Sequence, residues 1–545
     1  MMVKKQLLTD FVFRLKTEPE SSERPVKIPH TWNVESPYET YSGRAVYQTE
    51  FTAEKAFQTY LLFEAVYHSC CVYVNGRFAG AHSASGYTPF RLNISPFVTE
   101  GKNTLVVDCT NEYTADSLPH KKDFDWANDG GILRNVHLVQ YSENDVRNCH
   151  IESTVTEISD PENGSGRVNC SFSLLEKEPL AGEITVLDED QNAVFRSEVQ
   201  FQNNAAFELK NIKLWSPAHP HLYTLSVKCA GSVQNFTFGF RKIETAGNKI
   251  YLNGRKTKLI GIEWMPGSNP QFGMAEPESE LKKNLEMLKD LNCNFTRFHW
   301  QQAEYVLDWC DKNGLMVQEE IPYWGSPKAA GKKQLAIAQH QADDMLEYHF
   351  NHPSIVCWGV GNELGGHRKS TIEYVKEMKR YFNNRDSMRL VNYVSNTMAN
   401  DPYFLKSERD LDATAAGDIC MWNEYLGTWY KSAEKDYESY MRKALKRANG
   451  KPFMVTEFGL CEPAHKGGDE RRIRIYKTKI ALYEKLGFNG WVFFCLNDYR
   501  THVGETGSGR LRSRIHGSVD LYGKKKPSYE FVKESNAKHL GSQNQ

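Results

Sequence analysis

Two β-sandwiches followed by a (β/α)₈ barrel is the fold class this sequence predicts. Three observations predict it. Short β-rich runs separated by turn residues fill the first part, with no useful helical period before about residue 140. A second set of such runs follows, from about 143 to 242. Strand and helix signals then alternate to the end, with eight strand-like runs in about 300 residues.

The first sandwich, roughly 1–142, rests on "AVYQTEF", "TYLLFEAV", "CCVYVNG", "FRLNI" and "NTLVVDCTN". The second, 143–242, rests on "GRVNCSFSLL", "GEITVLDEDQNAVF", "AAFELKNI" and "LYTLSVKCAG", and ends near "FGFRKIE". The barrel region, 243–545, opens with the strand "TKLIGIEW". In "ESELKKNLEMLKDLN", Leu281, Leu285 and Leu288 share one helical face. The eight strand-like runs lie near 258, 293, 315, 355, 389, 418, 453 and 491.

Composition narrows the function. A chain of 545 residues needs several cores. Net charge −1 gives no reason to expect nucleic acid or an anionic membrane as partner. No window reaches the ~18 apolar residues of a membrane span. The 12 cysteines are scattered with no CxxC, which suggests free thiols and a reducing compartment. The N-terminus lacks a clean apolar region and a small-residue cleavage site. The expectation is therefore a cytoplasmic protein, or a periplasmic or secreted one where a signal has been removed.

In such barrels, polar residues at the carboxyl ends of the strands line the active face. "NHPSIVCWGVGNELGG" is an apolar run that ends in Asn362 and Glu363. "KPFMVTEFG" ends the same way in Glu457. Two carboxylates across a barrel mouth suit glycoside hydrolysis, one as proton donor and one as nucleophile or base. Arg297 and His299 follow the second strand, Glu319 and Glu320 the third, Asn423 and Tyr425 the sixth. An Arg or a Tyr hydroxyl beside a carboxylate favours its charged form. No GxSxG, HExxH or GxxxxGK[ST] is present, and "GVGNELGG" lacks the full GxGxxG.

These motifs, in this order, resemble glycoside hydrolase family 2, the family of β-galactosidases, β-glucuronidases and β-mannosidases. The resemblance covers nearly the whole chain. "VYVNGRFAGAHSASGYTPFRLNI" and "DGGILRNVHLV" resemble its jelly-roll sugar-binding domain, and "LWSPAHPHLYTL" with "FGFRKIE" its immunoglobulin-like domain. "NFTRFHW", "HPSIVCWGVGNE" and "VTEFG" resemble its TIM barrel. The resemblance implies a retaining mechanism, a carbohydrate substrate (a glycoside or oligosaccharide) and no organic cofactor. It also implies Glu363 as acid/base, Glu457 as nucleophile and Asn362 at the sugar 2-hydroxyl. Tyr425, in "NEYLGTWY", matches a Tyr beside the nucleophile, and Asp125, in "DWANDGGILR", an acidic residue sent in from the jelly roll. Arg297 and His299 match a pocket position in shortened form. No metal ligand set is assigned, and a homo-oligomer is compatible with the family.

The sequence also departs from the family. Glu263 and Trp264 stand where a His-Asp pair is usual after the first strand. The Asn-x-Lys of β-glucuronidases is replaced by Arg514 and His516, with Arg500, Arg510 and Arg512 nearby. An Arg fork binds carboxylate well. The aromatic floor of the sugar site aligns with Phe494 or with Trp491. The expected substrate is thus a terminal β-D-galactoside or β-D-uronide, glucuronide or galacturonide, with a β-mannosidase-type specificity as the alternative. A non-catalytic carbohydrate-binding protein is the rival from another class.

Overall fold

The computed structural model describes residues 4–114, 117–120, 125–175, 181–201, 204–325, 331–399, 411–504 and 512–541. The fold is a jelly-roll sandwich, an immunoglobulin-like sandwich and an eight-stranded parallel barrel. In the first sandwich a four-stranded sheet faces a six-stranded one. Strand Asp10–Leu15 shows the period-2 logic: Phe11, Phe13 and Leu15 point inward while Asp10 and Val12 are exposed. These three join Tyr47, Phe63, Val72 and Val107 in one core.

The second sandwich packs a three-stranded sheet on a four-stranded one, around Val168, Ile184, Leu225 and Phe238. Its exit is fixed to the barrel floor by Arg241. That buried guanidinium donates to the carbonyls of Pro353 (3.1 Å), Ile355 (2.8 Å) and Met388 (2.7 Å). Trp215 is fully buried among the lowest inward side chains of the barrel and donates to Asp311 O at 2.8 Å. The barrel is a packed core with a closed base.

The barrel strands are Leu259–Glu263, Phe295–Phe298, Met316–Glu320, Ile355–Asn362, Leu390–Ser395, Cys420–Asn423, Phe453–Glu457 and Gly490–Phe494. Each falls where the strand-like runs lie. Seven ladders are parallel. The first and second strands meet through Asn294 N–H to Ile260 O, 3.0 Å, and the Thr296 hydroxyl to Ile262 O, 2.9 Å. Ile260, Ile262, Phe298, Val317, Trp422, Val455, Trp491 and Phe493 face the outer helices. Leu259, Phe295, Met316, Cys357, Met421, Met454 and Val492 fill the interior. Both faces are apolar because both are covered, so these strands read as continuous apolar runs.

All twelve cysteines are free thiols. Among the described residues no helix is long and apolar enough to cross a membrane.

Candidate active site

The carboxyl ends of the barrel strands converge on one cleft. The fourth strand delivers its carboxylate through a local break in register. Gly359 pairs with Asn392, but the next pair is Asn362 with Val394, so an irregularity sits between them. Two glycines make it feasible. At Gly359 an added Cβ would lie 1.9 Å from Glu320 Cγ, so its bareness makes room for that side chain. Gly361 has φ +143°, a region that strongly favours glycine. Glu363 itself sits at φ +55°, uncommon for a non-glycine residue and characteristic of functional positions. Its N–H donates to Val394 O at 2.9 Å, and the next N–H, of Leu364, donates to the side chain of the fifth-strand residue Tyr393, at 2.7 Å. The bulge turns Glu363 out of the wall and into the mouth.

Arg297 is the hub beneath the cleft, fully buried. It forks onto Glu320 with bonds of 2.6 and 3.0 Å, and donates to Glu263 at 3.1 Å and to Glu457 Oε1 at 2.8 Å. His299 Nε2 lies 3.2 Å from Glu263 Oε1 and 3.7 Å from Glu457 Oε1. Burial pushes Glu263 up to about 8, against the pull of Arg297 and His299. For Glu320 burial acts in the same direction, but the Arg297 charge and its hydrogen bonds win, and its pKa is lowered. His299 is raised: burial opposes its charge, but the Glu263 carboxyl favours it. The two lie 3.2 Å apart, and each favours the charged form of the other.

Glu363 and Glu457 meet over one nitrogen. Asn423 Nδ2 lies 2.8 Å from Glu363 Oε1 and 2.8 Å from Glu457 Oε1, and 3.0 Å from Asn362 Oδ1. The Thr456 hydroxyl donates to Asn423 Oδ1 at 2.9 Å, which fixes the amide orientation. Two carboxylate oxygens bonded to one nitrogen are separated by at most two bond lengths, about 5.6 Å. The Tyr425 hydroxyl donates to Glu457 Oε2 at 2.8 Å. Burial, reinforced by the Glu457 charge, raises Glu363 to about 7. Asn362 Nδ2, buried, makes no hydrogen bond among the described residues.

The outer wall is aromatic and comes from three places. Asp125 and Trp126 arrive from the jelly roll, Trp324 and Trp429 from barrel loops, and Phe494, Tyr499, Arg514 and His516 from the last strand and beyond. Asp125 accepts from Tyr499 (2.8 Å), from Thr501 (3.1 Å) and from Arg514 in a close ion pair. The Arg514 guanidinium lies over the Trp429 ring, 5.3 Å from its centroid. His516 is buried and held neutral, its pKa well below the ordinary value because of burial and the nearby Arg514 and Arg472 charges. Its ring stacks on Tyr499 at 6.1 Å and meets Phe494 edge-on at 5.0 Å. The pocket volume is about 160 Å³. That is below the roughly 300–1,000 Å³ typical of drug-sized ligands, and is a size for a single ring.

Of the residues expected from sequence, Glu363, Glu457, Asp125, His299, Tyr425, Phe494, Arg514 and His516 line this cleft together. Asn362, Asn423, Glu263 and Arg297 sit behind the lining, buried at the same strand ends. Arg297 therefore touches Glu457 rather than a ligand in the cleft. Trp491 does not belong to the site. It is in the outward register of the last strand, packed against Tyr483 and His539 beneath the helices, while Phe494 takes the wall position. Arg500 also points elsewhere, paired bidentately with Asp129. Arg510 lies outside the described residues. Sequence reasoning missed Trp126, Trp324, Trp429 and Tyr499 as lining residues. Trp126 and Trp429 were within reach, since they stand in the same short motifs as Asp125 and Tyr425. Trp324 lies four residues and Tyr499 five residues past the ends of their barrel strands, with no pattern to mark them.

Comparison with known proteins agrees with this architecture. The chain matches the sugar binding domain of glycosyl hydrolases family 2 over 20–142, a further domain of glycosyl hydrolases family 2 over 144–241, and that family's TIM barrel domain over 243–506. It is 28% identical to a β-galactosidase of Thermoanaerobacterium thermosulfurigenes, over 93% of this chain and 71% of that one. It superimposes on a β-galacturonidase from Eisenbergiella tayi bound to galacturonate, with TM-score 0.83, 25% identity, and 99% and 98% of the two chains covered. A β-glucuronidase of an uncultured Clostridium shares the fold at TM-score 0.88, with 21% identity and 98% of each chain covered. With three family domains in order around a paired-glutamate cleft, the chain belongs to glycoside hydrolase family 2 and is a glycoside hydrolase.

Proposed function

We propose that the protein is a retaining exo-β-glycosidase that removes a terminal non-reducing sugar by double displacement. Glu457 attacks the anomeric carbon. Glu363 first protonates the leaving oxygen and then, as a base, activates water against the glycosyl-enzyme. The observation that carries this reading is the shared Asn423 nitrogen, which limits the carboxylate oxygens to about 5.6 Å of one another. Retaining enzymes separate the pair by about 5–5.5 Å, whereas inverting enzymes need about 6.5–9.5 Å to admit a water. The raised Glu363, at about 7, is a proton donor near neutral pH. Arg297, Asn423 and Tyr425 supply three donors to Glu457 and orient it. The small pocket, lined in part by Asp125 and Trp126 from the jelly roll, favours an exo mode.

For the sugar, the reading we favour is a β-uronide, galacturonide or glucuronide. Arg514 is the one Lys or Arg among the described residues that line the cleft, and a uronate carboxylate would share its guanidinium with Asp125. The similarity to the galacturonate-bound Eisenbergiella tayi enzyme supports this. A second reading, a neutral β-galactoside, is favoured by a different observation. Arg514 is already charge-matched by Asp125, so the pair would serve as a rigid wall that reads hydroxyls. Initial rates on matched chromogenic β-D-galacturonide, β-D-glucuronide, β-D-galactoside and β-D-mannoside separate the readings. Dominant uronide hydrolysis supports the first, and dominant galactoside hydrolysis supports the second.

A further inference from the structure

Outside the cleft lining, the jelly roll touches the long barrel helix Lys332–His349, which precedes the strand Ile355–Asn362. Gln341 of that helix donates to Ala84 O at 2.8 Å and to Leu118 O at 3.3 Å, so the contact is built. Beside it stand His82, His340 and Asp344, whose donor atoms all lie within 4.8 Å of one another. We propose that these three residues form a binding site for a divalent transition-metal ion of the zinc class, joining the jelly roll to the barrel.

His82 ends the strand Arg77–His82 and is 8% exposed. Neither of its ring nitrogens has a hydrogen-bond partner among the described residues. Buried polar groups are normally satisfied, so an imidazole with both nitrogens unmet calls for a ligand. The ring is also preset, stacked on Phe90 at 4.1 Å and 9°. Its Nε2 lies 3.7 Å from Asp344 Oδ2, too long for a hydrogen bond. Asp344 Oδ2 is itself oriented by the Thr88 hydroxyl at 2.7 Å and the Ser85 hydroxyl at 3.4 Å, the outer support that metal-binding carboxylates usually have.

His340 and Asp344 are four residues apart on one helix, hence on one face. His340 is exposed, and its ring centroid is 6.3 Å from that of His82. Zinc bonds of about 2.0–2.1 Å in a tetrahedron place donors about 3.4 Å apart. Rotation of the exposed His340 side chain closes the remaining gap. Two imidazoles and one carboxylate suit zinc and leave a fourth position for water.

The test is equilibrium dialysis of chelator-treated protein against ZnCl₂ at micromolar concentration, followed by thermal unfolding with and without Zn²⁺. The proposal expects one Zn²⁺ more per chain in wild type than in His340→Ala. It also expects a Zn²⁺-dependent rise in Tm that His340→Ala and Asp344→Asn lose, with affinity at least about tenfold weaker in each. His340 is exposed, so its variant is expected to fold, and its Tm without metal checks this. Equal Zn²⁺ stoichiometry and affinity in wild type and His340→Ala would overturn the proposal, whether the ion is absent or sits among Glu263, His299 and Glu457.

Discussion

Glu363 and Glu457, from the fourth and seventh barrel strands, accept hydrogen bonds from the same nitrogen, Asn423 Nδ2, at 2.8 Å each. The sixth strand thus measures the gap between the two carboxylates. Burial first, and then the nearby Glu457 charge, raise the Glu363 carboxyl.

Glu363→Gln removes the proton donor but not the nucleophile. Its kcat/KM on a glycoside with a poor leaving group should fall about 10²–10⁴-fold. The loss should shrink on a dinitrophenyl glycoside, whose leaving oxygen needs no proton. Equal losses on both would remove the acid role.

The pH profile tests the same carboxyl. With Glu363 at about 7, kcat/KM should decline as pH rises through that value, because the acid loses its proton. Stability carries the same sign. The folded pKa is raised above the unfolded 4.5, so the contribution is fully present below pH 4.5 and is lost as pH rises through about 7. Glu363→Gln should therefore gain stability relative to wild type between pH 4.5 and 8, by an upper limit of roughly 3 kcal/mol. Denaturant melts at pH 4.5, 6 and 8 read it, and a difference independent of pH would refute the shift.

Tyr425→Phe deletes one hydrogen bond to Glu457 and little else. A hydrogen bond to a charged group contributes about 1.5–3 kcal/mol, so kcat/KM should drop about 10- to 100-fold. A change within twofold would mean that the hydroxyl does not orient the nucleophile.

Arg514→Ala separates the two sugars. For a uronide KM should rise steeply, at least about tenfold, and for a galactoside little. Equal effects would reduce Arg514 to a partner of Asp125.

Phe494→Ala and Trp491→Phe test the wall assignment. The first should raise KM on any substrate. The second, at a site behind the barrel, should leave kinetics within about twofold and lower Tm.

Much of this site was legible in the sequence. The eight strands were, because most are apolar runs that alternate with helical patterns, and the active face of such a barrel lies at their carboxyl ends. Glu363 and Glu457 were found by that rule alone. The choice between Trp491 and Phe494 was not legible. Both sit in one short run, and only the strand's true register sends Phe494 to the mouth. Nor was the burial of Arg297 foreseeable. Its guanidinium is tolerated because Glu263, Glu320 and Glu457 come to it from three other strands, a neutralisation that spacing does not encode. Asp125 and Arg514 are 389 residues apart, and their contact depends on how the jelly roll docks.

Covalent trapping identifies the nucleophile, proposed above as Glu457. The enzyme is incubated with the 2-deoxy-2-fluoro glycosyl fluoride of its preferred sugar, digested, and the labelled peptide sequenced by mass spectrometry. One fluoroglycosyl group per chain, on Glu457, is the expected outcome. A label on Glu363 or on any other residue, or an inverted first-formed product with no label, would contradict it.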